Sequence, residues 1–179
     1  MPRHYIAGES SGVVRVLKKS EVEPRQYRDA MSRFAGAVHV VTTDGRAGRR
    51  GTTVIAACSV SDDPPTILVC LNRHNRANDL YVDNGVFALN TLPAERQDLA
   101  NAFSGLTGLP QNERFSLAAW DTIATGAPTL SDAAAVFDCE LIEAKELATH
   151  RVLFGQVRGV RISDSLSPLI YYNRQYRVL

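Results

Sequence analysis

A chain of 179 residues, 45% of them hydrophobic and 22% charged, has the size and composition of one globular domain with its own core. Its 20 Lys and Arg against 19 Asp and Glu leave a formal net charge of +1, which excludes the strongly basic surface of a dedicated nucleic-acid binder. No apolar run approaches the ~20 residues of a membrane helix, and the length excludes a nucleotide domain joined to a separate substrate domain.

Residues 1–23 mix Gly, Ser and both charge signs without a sustained period, which predicts a mobile arm with a short strand at 13–17. The arm has no uninterrupted apolar stretch of the secretory kind, so the expected location is the cytoplasm. One domain is expected over 24–179. Tyr27, Ala30, Met31 and Phe34 fall at helical spacing over 24–34, with Pro24 in the first turn and Gly36 as the stop. Residues 37–43 (AVHVVTT) predict a strand closed by the turn pair Asp44-Gly45, and 51–60 (GTTVIAACSV) predict a second. After the stiff break at 62–65 (DDPP), the continuous apolar run 66–71 predicts a strand covered on both faces. A short helix over 77–82 stops at Asn84-Gly85, a strand follows over 86–92, and a helix over 95–103 groups Leu99, Ala102 and Phe103. Residues 107–131 read as loop. Two long strands, 136–147 and 149–162, share a tight connection, and 169–172 form a last short strand. Seven or so strands with short helices between them predict a mainly β, closed antiparallel barrel.

Cys58, Cys70 and Cys139 form no CxxC pair, and no Cys or His stands at ligand spacing from another, so no metal site is expected. Sparse, odd-numbered thiols suit a reducing compartment. Familiar catalytic motifs are missing. Residues 45–52 (GRAGRRGT) lack the P-loop lysine, and no GxGxxG, GxSxG or HExxH occurs. A dinucleotide would therefore bind on a non-Rossmann scaffold.

Four groups of residues remain as candidates, each with a plain structural alternative. Thr52, Thr53, Cys58, Ser59 and Ser61 interleave with Ala56 and Ala57, so a flat ligand could approach the backbone there, or the small residues could simply suit a tightly packed strand. Residues 72–78 (NRHNRAN) set two arginines, an imidazole and three amides at a strand–helix junction, which suits a phosphate or a solvated loop equally. His150 opens a long strand, as a working imidazole or as a hydrogen-bonded structural one. The close, 168–177, carries three tyrosines and two arginines, which suit ring stacking and diphosphate binding or the docking of a terminal strand.

Five segments in order, 27–45, 51–71, 84–92, 149–155 (THRVLFG) and 168–176 (PLIYYNRQY), make the chain resemble the short flavin reductases. These are FMN-binding split-barrel proteins that supply reduced flavin to two-component monooxygenases. The resemblance covers roughly residues 25–179. Within the family, the run 103–120 and the close 169–176 look like the cob(II)yrinate a,c-diamide reductase branch, and the pyrimidine-pathway flavin reductases look nearly as similar. The resemblance implies a homodimeric split β-barrel with a few short helices, holding FMN or FAD near the subunit interface. It implies NADH or NADPH as hydride donor and, as acceptor of electrons beyond the flavin, a partner monooxygenase or a corrinoid. A non-catalytic flavin-binding protein is the reading from another class. Carried over position by position, Thr53, Ala56, Ala57, Cys58 and Ser59 would line the isoalloxazine. Asn72, Arg73 and Asn78 would lie by the ribityl phosphate, and Phe103 and Ser104 would close the site. His150, Gly51, Tyr172 and Tyr176 would face the nicotinamide, with His150 as the catalytic candidate. Residues 74–77 (HNRA) lack the hydroxyls that many members carry there, which leaves FMN and FAD both open.

Overall fold

The β-branched runs of the sequence assemble into one seven-stranded antiparallel sheet, and helices are confined to short connections. The computed structural model describes residues 18–164 and 167–178, and the strand expected at 13–17 lies outside them. Residues 18–23 carry no helix or strand. Helix α1 (Pro24–Met31) is shorter than its periodicity predicts: the chain leaves it at Ser32, and Gly36–Ala37 form strand β1 in place of a helix stop. None of its residues is buried, so no packed face holds a further turn.

Strand β2 (His39–Thr43) is buried on both faces, with Val40 on one and Val41 on the other, which is why its β-branched residues run on without alternating with charged ones. The single strand expected over 51–60 is two strands, β3 (Arg50–Val54) and β4 (Ala57–Asp62), broken at Ile55-Ala56. Strand β5 (Pro65–Asn72) returns from β4 across the Asp-Asp-Pro-Pro turn. A 3₁₀ turn (Arg76–Asp79) and helix α2 (Leu80–Asn84) follow, ended by Gly85 in the left-handed region at φ 69°. Strand β6 (Val86–Thr91) leads to helix α3 (Gln97–Ser104). The expected loop 107–131 holds helix α4 (Gln111–Phe115) and a small ribbon of β7 (Trp120–Asp121) with β8 (Thr129–Leu130). The long strands are β9 (Ala135–Leu147) and β10 (His150–Ile162). Strand β11 (Leu169–Tyr172) is not the last. Asn173 and Arg174, at φ 49° and 61°, turn it into β12 (Gln175–Val178), which pairs with it.

The main sheet runs in the order β3-β2-β6-β9-β10-β5-β4. Its two edges, β3 and β4, are consecutive in the chain and joined by Ile55-Ala56 alone. In a flat seven-stranded sheet those edges would lie roughly 29 Å apart at ~4.8 Å per strand, yet three Cα steps reach only ~11 Å. The sheet must curl until Val54 and Ala57 lie within that span, and the Cys70 N–H, donating to the Ala56 carbonyl at 2.9 Å, extends the β4–β5 ladder into the corner. Val41, Val69, Phe87 and Leu153 fill the inside of the curl. Tyr81 closes one end, its hydroxyl donating to the Val41 carbonyl at 2.8 Å. Gly155 is required opposite Phe87, because a Cβ there would lie 2.4 Å from the ring. Outside the curl, Leu99 and Phe103 of α3 and Phe115 of α4 pack on Val38, Val40 and Leu169 as a second core. Among the described residues, no helix is long and apolar enough to cross a membrane.

Candidate active site

Two cavities flank the end of β3 and share Thr53, Val54 and Ile55 as their common wall. The first, of about 330 Å³, lies at the seam of the sheet. Its walls come from Thr52 and Ala56 on one side, from Cys70 and Asn72 of β5, from Asn75 and Asn78 of the following turn, and from His150 at the start of β10. His150 reaches it because β10 pairs with β5 in a register that sets His150 opposite Asn72.

The amide-rich corner is braced internally. Asn78 donates Nδ2–H to the Asn72 carbonyl at 2.9 Å, the Asn72 side chain accepts from the His74 N–H at 2.9 Å, and Asn75 accepts from the Ala77 N–H at 3.2 Å. Such Asx turns hold the chain in one shape without helix or sheet. Thr53 donates its hydroxyl to the Ala100 carbonyl at 2.8 Å, which ties the shared wall to α3. His150 has Nδ1 within 2.9 Å of the Thr149 hydroxyl, so Nε2 is the ring atom left for a ligand. Cys70 stays a thiol, because burial pushes it up from its ordinary value and the nearby Cys58 adds to the shift.

The second cavity, of about 260 Å³, is more apolar and is bounded by Ser104, Leu106, Tyr171 and Tyr176. The two tyrosine rings meet edge to face with centroids 5.3 Å apart. Burial, and then the neighbouring Tyr171, raise the Tyr176 phenol above its ordinary value.

The structure thus brings together Thr53, Ala56, Asn72, Asn78 and His150, with Ser104 and Tyr176 across the shared wall. The other sequence-derived candidates stand elsewhere. Ala57, Cys58 and Ser59 line a third cavity, of about 360 Å³, at the open end of the curl, because the break at Ile55-Ala56 turns β4 away from β3. Phe103 lies in the core against Phe115 and Trp120, with centroids 5.1 and 5.8 Å away, and it supports the site from behind. Gly51 is buried beneath that ring, where a Cβ would lie 2.5 Å from it. Arg73 is engaged with Glu146 at 2.8 Å, and Tyr172 lines neither cavity at the β3 end. Thr52 and Asn75 belong to the site although only their neighbours were carried over from the resemblance. Gln111 was missed: it reaches in from α4, donating Nε2–H to the Gly51 carbonyl at 3.1 Å, and no local pattern announces it.

A mainly β sheet that carries two adjoining cavities, one amide-lined and one aromatic, suits a protein that holds two flat heterocycles side by side. The chain belongs to the flavin reductase like domain family, whose model matches residues 31–179. An FMN reductase (NADH) RutF from Agrobacterium fabrum is 46% identical over 162 residues, 90% of this chain and 92% of that one. A Haemophilus somnus protein described as a flavin reductase superposes with a TM-score of 0.84 at 46% identity, over 88% of this chain and 100% of its own. BorF, the flavin reductase component of a bacterial two-component tryptophan halogenase, gives a TM-score of 0.80 at 30% identity, over 88% of this chain and 98% of its own.

Proposed function

We propose that this protein is an NADH:FMN oxidoreductase that passes a hydride from reduced nicotinamide to flavin and supplies reduced flavin to a partner monooxygenase. The observation that carries the reading is the 46% identity, over 90% of this chain, to a relative named FMN reductase (NADH). The site is chemically consistent with it. Amide and hydroxyl groups of Thr52, Asn72, Asn75 and Asn78 match the polar edge and ribityl chain of a flavin, and Ala56 leaves room for a flat ring against the backbone. Flavin, when bound, supplies the hydride acceptor. The chain's own task is to hold two rings face to face at the ~3–3.5 Å of a near-attack geometry. In this reading the aromatic cavity with Tyr176 and Ser104 takes the nicotinamide across the Thr53 wall. His150 positions the rings, with Nε2 directed at the groove. Asn72 and Asn78 keep their places beside the ribityl phosphate, while Ala57, Cys58 and Ser59 serve the scaffold of β4.

The finer architecture follows the same reading. The seam between β3 and β4 supports a split β-barrel, and exposed Ile142, Val160 and Ile162 on the β9–β10 ribbon support a homodimer, for which the mass in solution should be twice that of the chain. Residues 24–179 act as one catalytic unit in the cytoplasm. The test of function is NADH oxidation followed at 340 nm with and without FMN, repeated with NADPH. FMN-dependent consumption that prefers NADH is expected. Purified protein that neither binds flavin nor shows FMN-stimulated NADH oxidation would sink the reading.

A further inference from the structure

Arginines at the half-buried positions of this protein are mostly tied to carboxylates: Arg151 to Asp79 and Glu146, Arg161 to Asp121, and Arg96 to Asp132. Even the more exposed Arg49 is paired with Asp44 at 2.7 Å and lies over the Phe115 ring at 5.1 Å. Arg50 and Arg114 differ. Among the described residues, Arg50 donates only to neutral amides, Nε to Asn78 Oδ1 at 3.3 Å and Nη1 to Gln111 Oε1 at 3.0 Å. Arg114 donates Nε to the Leu109 carbonyl at 2.7 Å, and its Nη groups have no carboxylate partner among the described residues. A guanidinium carries five donors, so both keep unspent N–H groups.

Arg114 stands three residues, about one helical turn, beyond Gln111, the α4 side chain that Arg50 grips, which sets it on the same side of that helix. Burial pushes the Arg50 guanidinium down from its ordinary value, and the Arg114 charge pushes it the same way. Tyr81, which lies close enough to help, is held neutral by its own burial and offers no standing negative charge. A partly desolvated pair of like charges without a carboxylate is costly unless an anion joins it. Its location indicates which anion. Asn78, which Arg50 grips, is a wall of the amide-lined cavity, and Arg50 shares its face of β3 with Thr52 of the same cavity.

We infer that Arg50 and Arg114 form an anion subsite at the end of the groove, which takes a phosphoryl group of the nucleotide bound there. The inference rests on the groove's reading as the flavin site. Planar guanidinium forks match phosphate oxygens in geometry as well as charge. Two phosphoryl sources exist in the proposed reaction: the 5′-phosphate of FMN and the diphosphate of NADH.

The experiment measures binding of FMN and of riboflavin by flavin fluorescence, in the wild-type protein and in the Arg50→Gln, Arg50→Lys and Arg114→Gln variants. Wild type should bind FMN more tightly than riboflavin. Each Gln variant should lose about tenfold or more in FMN affinity, with riboflavin affinity kept and Arg50→Lys between the two. Inorganic phosphate should compete with FMN in the wild type and much less in Arg50→Gln. A second arm compares KM for NADH with KM for the phosphate-free donor 1-benzyl-1,4-dihydronicotinamide. If FMN affinity holds while KM rises for NADH alone, the subsite serves the dinucleotide. Equal losses for FMN and riboflavin would mean that Arg50 merely props Asn78, and no change in any variant would mean that the pair binds nothing. Either result overturns the subsite. Wild-type protein that binds no flavin at all would overturn the flavin reading itself, a separate outcome.

Discussion

His150 illustrates how one side chain is aimed by pairing it did not choose. Its place opposite Asn72 follows from the register of β10 on β5, and its Nδ1 is occupied by the adjacent Thr149 hydroxyl. The ring therefore keeps Nε2 free of that contact, and in the proposed reading its task is to orient a reactant. His150→Ala should slow FMN-dependent NADH oxidation about tenfold, less than the ~10²–10⁴-fold that loss of a general acid or base costs, while FMN still binds. Steady-state NADH consumption beside fluorescence titration of FMN separates the two effects. An unchanged rate would reduce His150 to a solvated strand end. Gln in the same position, able to donate and accept one hydrogen bond, should recover part of the rate if orientation is the role.

Single elements depend on a few buried polar groups whose importance exceeds their number. The loop between β7 and β8 is hung from Asp138, a fully buried carboxylate near the start of β9 that accepts from the N–H groups of Ala124 and Thr125, at 2.7 and 2.9 Å, and from the Thr125 hydroxyl. Asp138→Ala leaves those donors without their acceptor and should cost about 3 kcal/mol, read as a shift in the urea midpoint. Amide exchange at Ala124 and Thr125 should rise more than exchange at the sheet. Asp138→Asn, with one carbonyl oxygen, should fall between. This loop read as plain loop because its organising group lies on another strand. Elements whose cause is local were legible: the strand 86–92, the Gly85 stop and the two long strands all came through from β-branched runs and turn residues. Strand β12 was not, since its turn is Asn173-Arg174 and lacks the Asn-Gly pair that marks such hairpins. The break at Ile55-Ala56 was equally invisible, for nothing in IAA resists an extended chain; only closure of the sheet demands a corner there. In consequence Thr53, Ala56, Asn72, Asn78 and His150 could be gathered from sequence by resemblance, but the separation of Cys58 and Ser59 from them could not.

Curling the sheet on itself also leaves one end open, and a titratable group lines the opening. His39 of β2 sits in the third cavity among Leu89, Phe137 and Val157, with Nδ1 3.1 Å from the Thr91 hydroxyl. Burial holds its imidazole down at about 4, from an ordinary 6.5. The folded protein therefore keeps His39 neutral at pH values where the unfolded chain protonates it. The stabilising difference is complete above pH 6.5 and is lost progressively as pH falls from 6.5 towards 4. By pH 5 the loss should reach about 1–2 kcal/mol, after allowance for the water that the cavity admits. Asp121 acts lower on the scale: the hydrogen bond from Arg161 holds its carboxyl below 3.8, so its contribution is present above that value and fades only beneath it. Glu146, held below its ordinary 4.5 chiefly by the hydrogen bond from Arg151, likewise fades only beneath that value, so the window between 4.5 and 6.5 is the histidine's. Urea unfolding at pH 7.5, 6 and 5 should show the loss in the wild type and a much shallower slope in His39→Gln. If the two slopes coincide, the charge taken up on acidification is not at the open end of the curl, and protonation of His39 is tolerated there by water or by a covering partner.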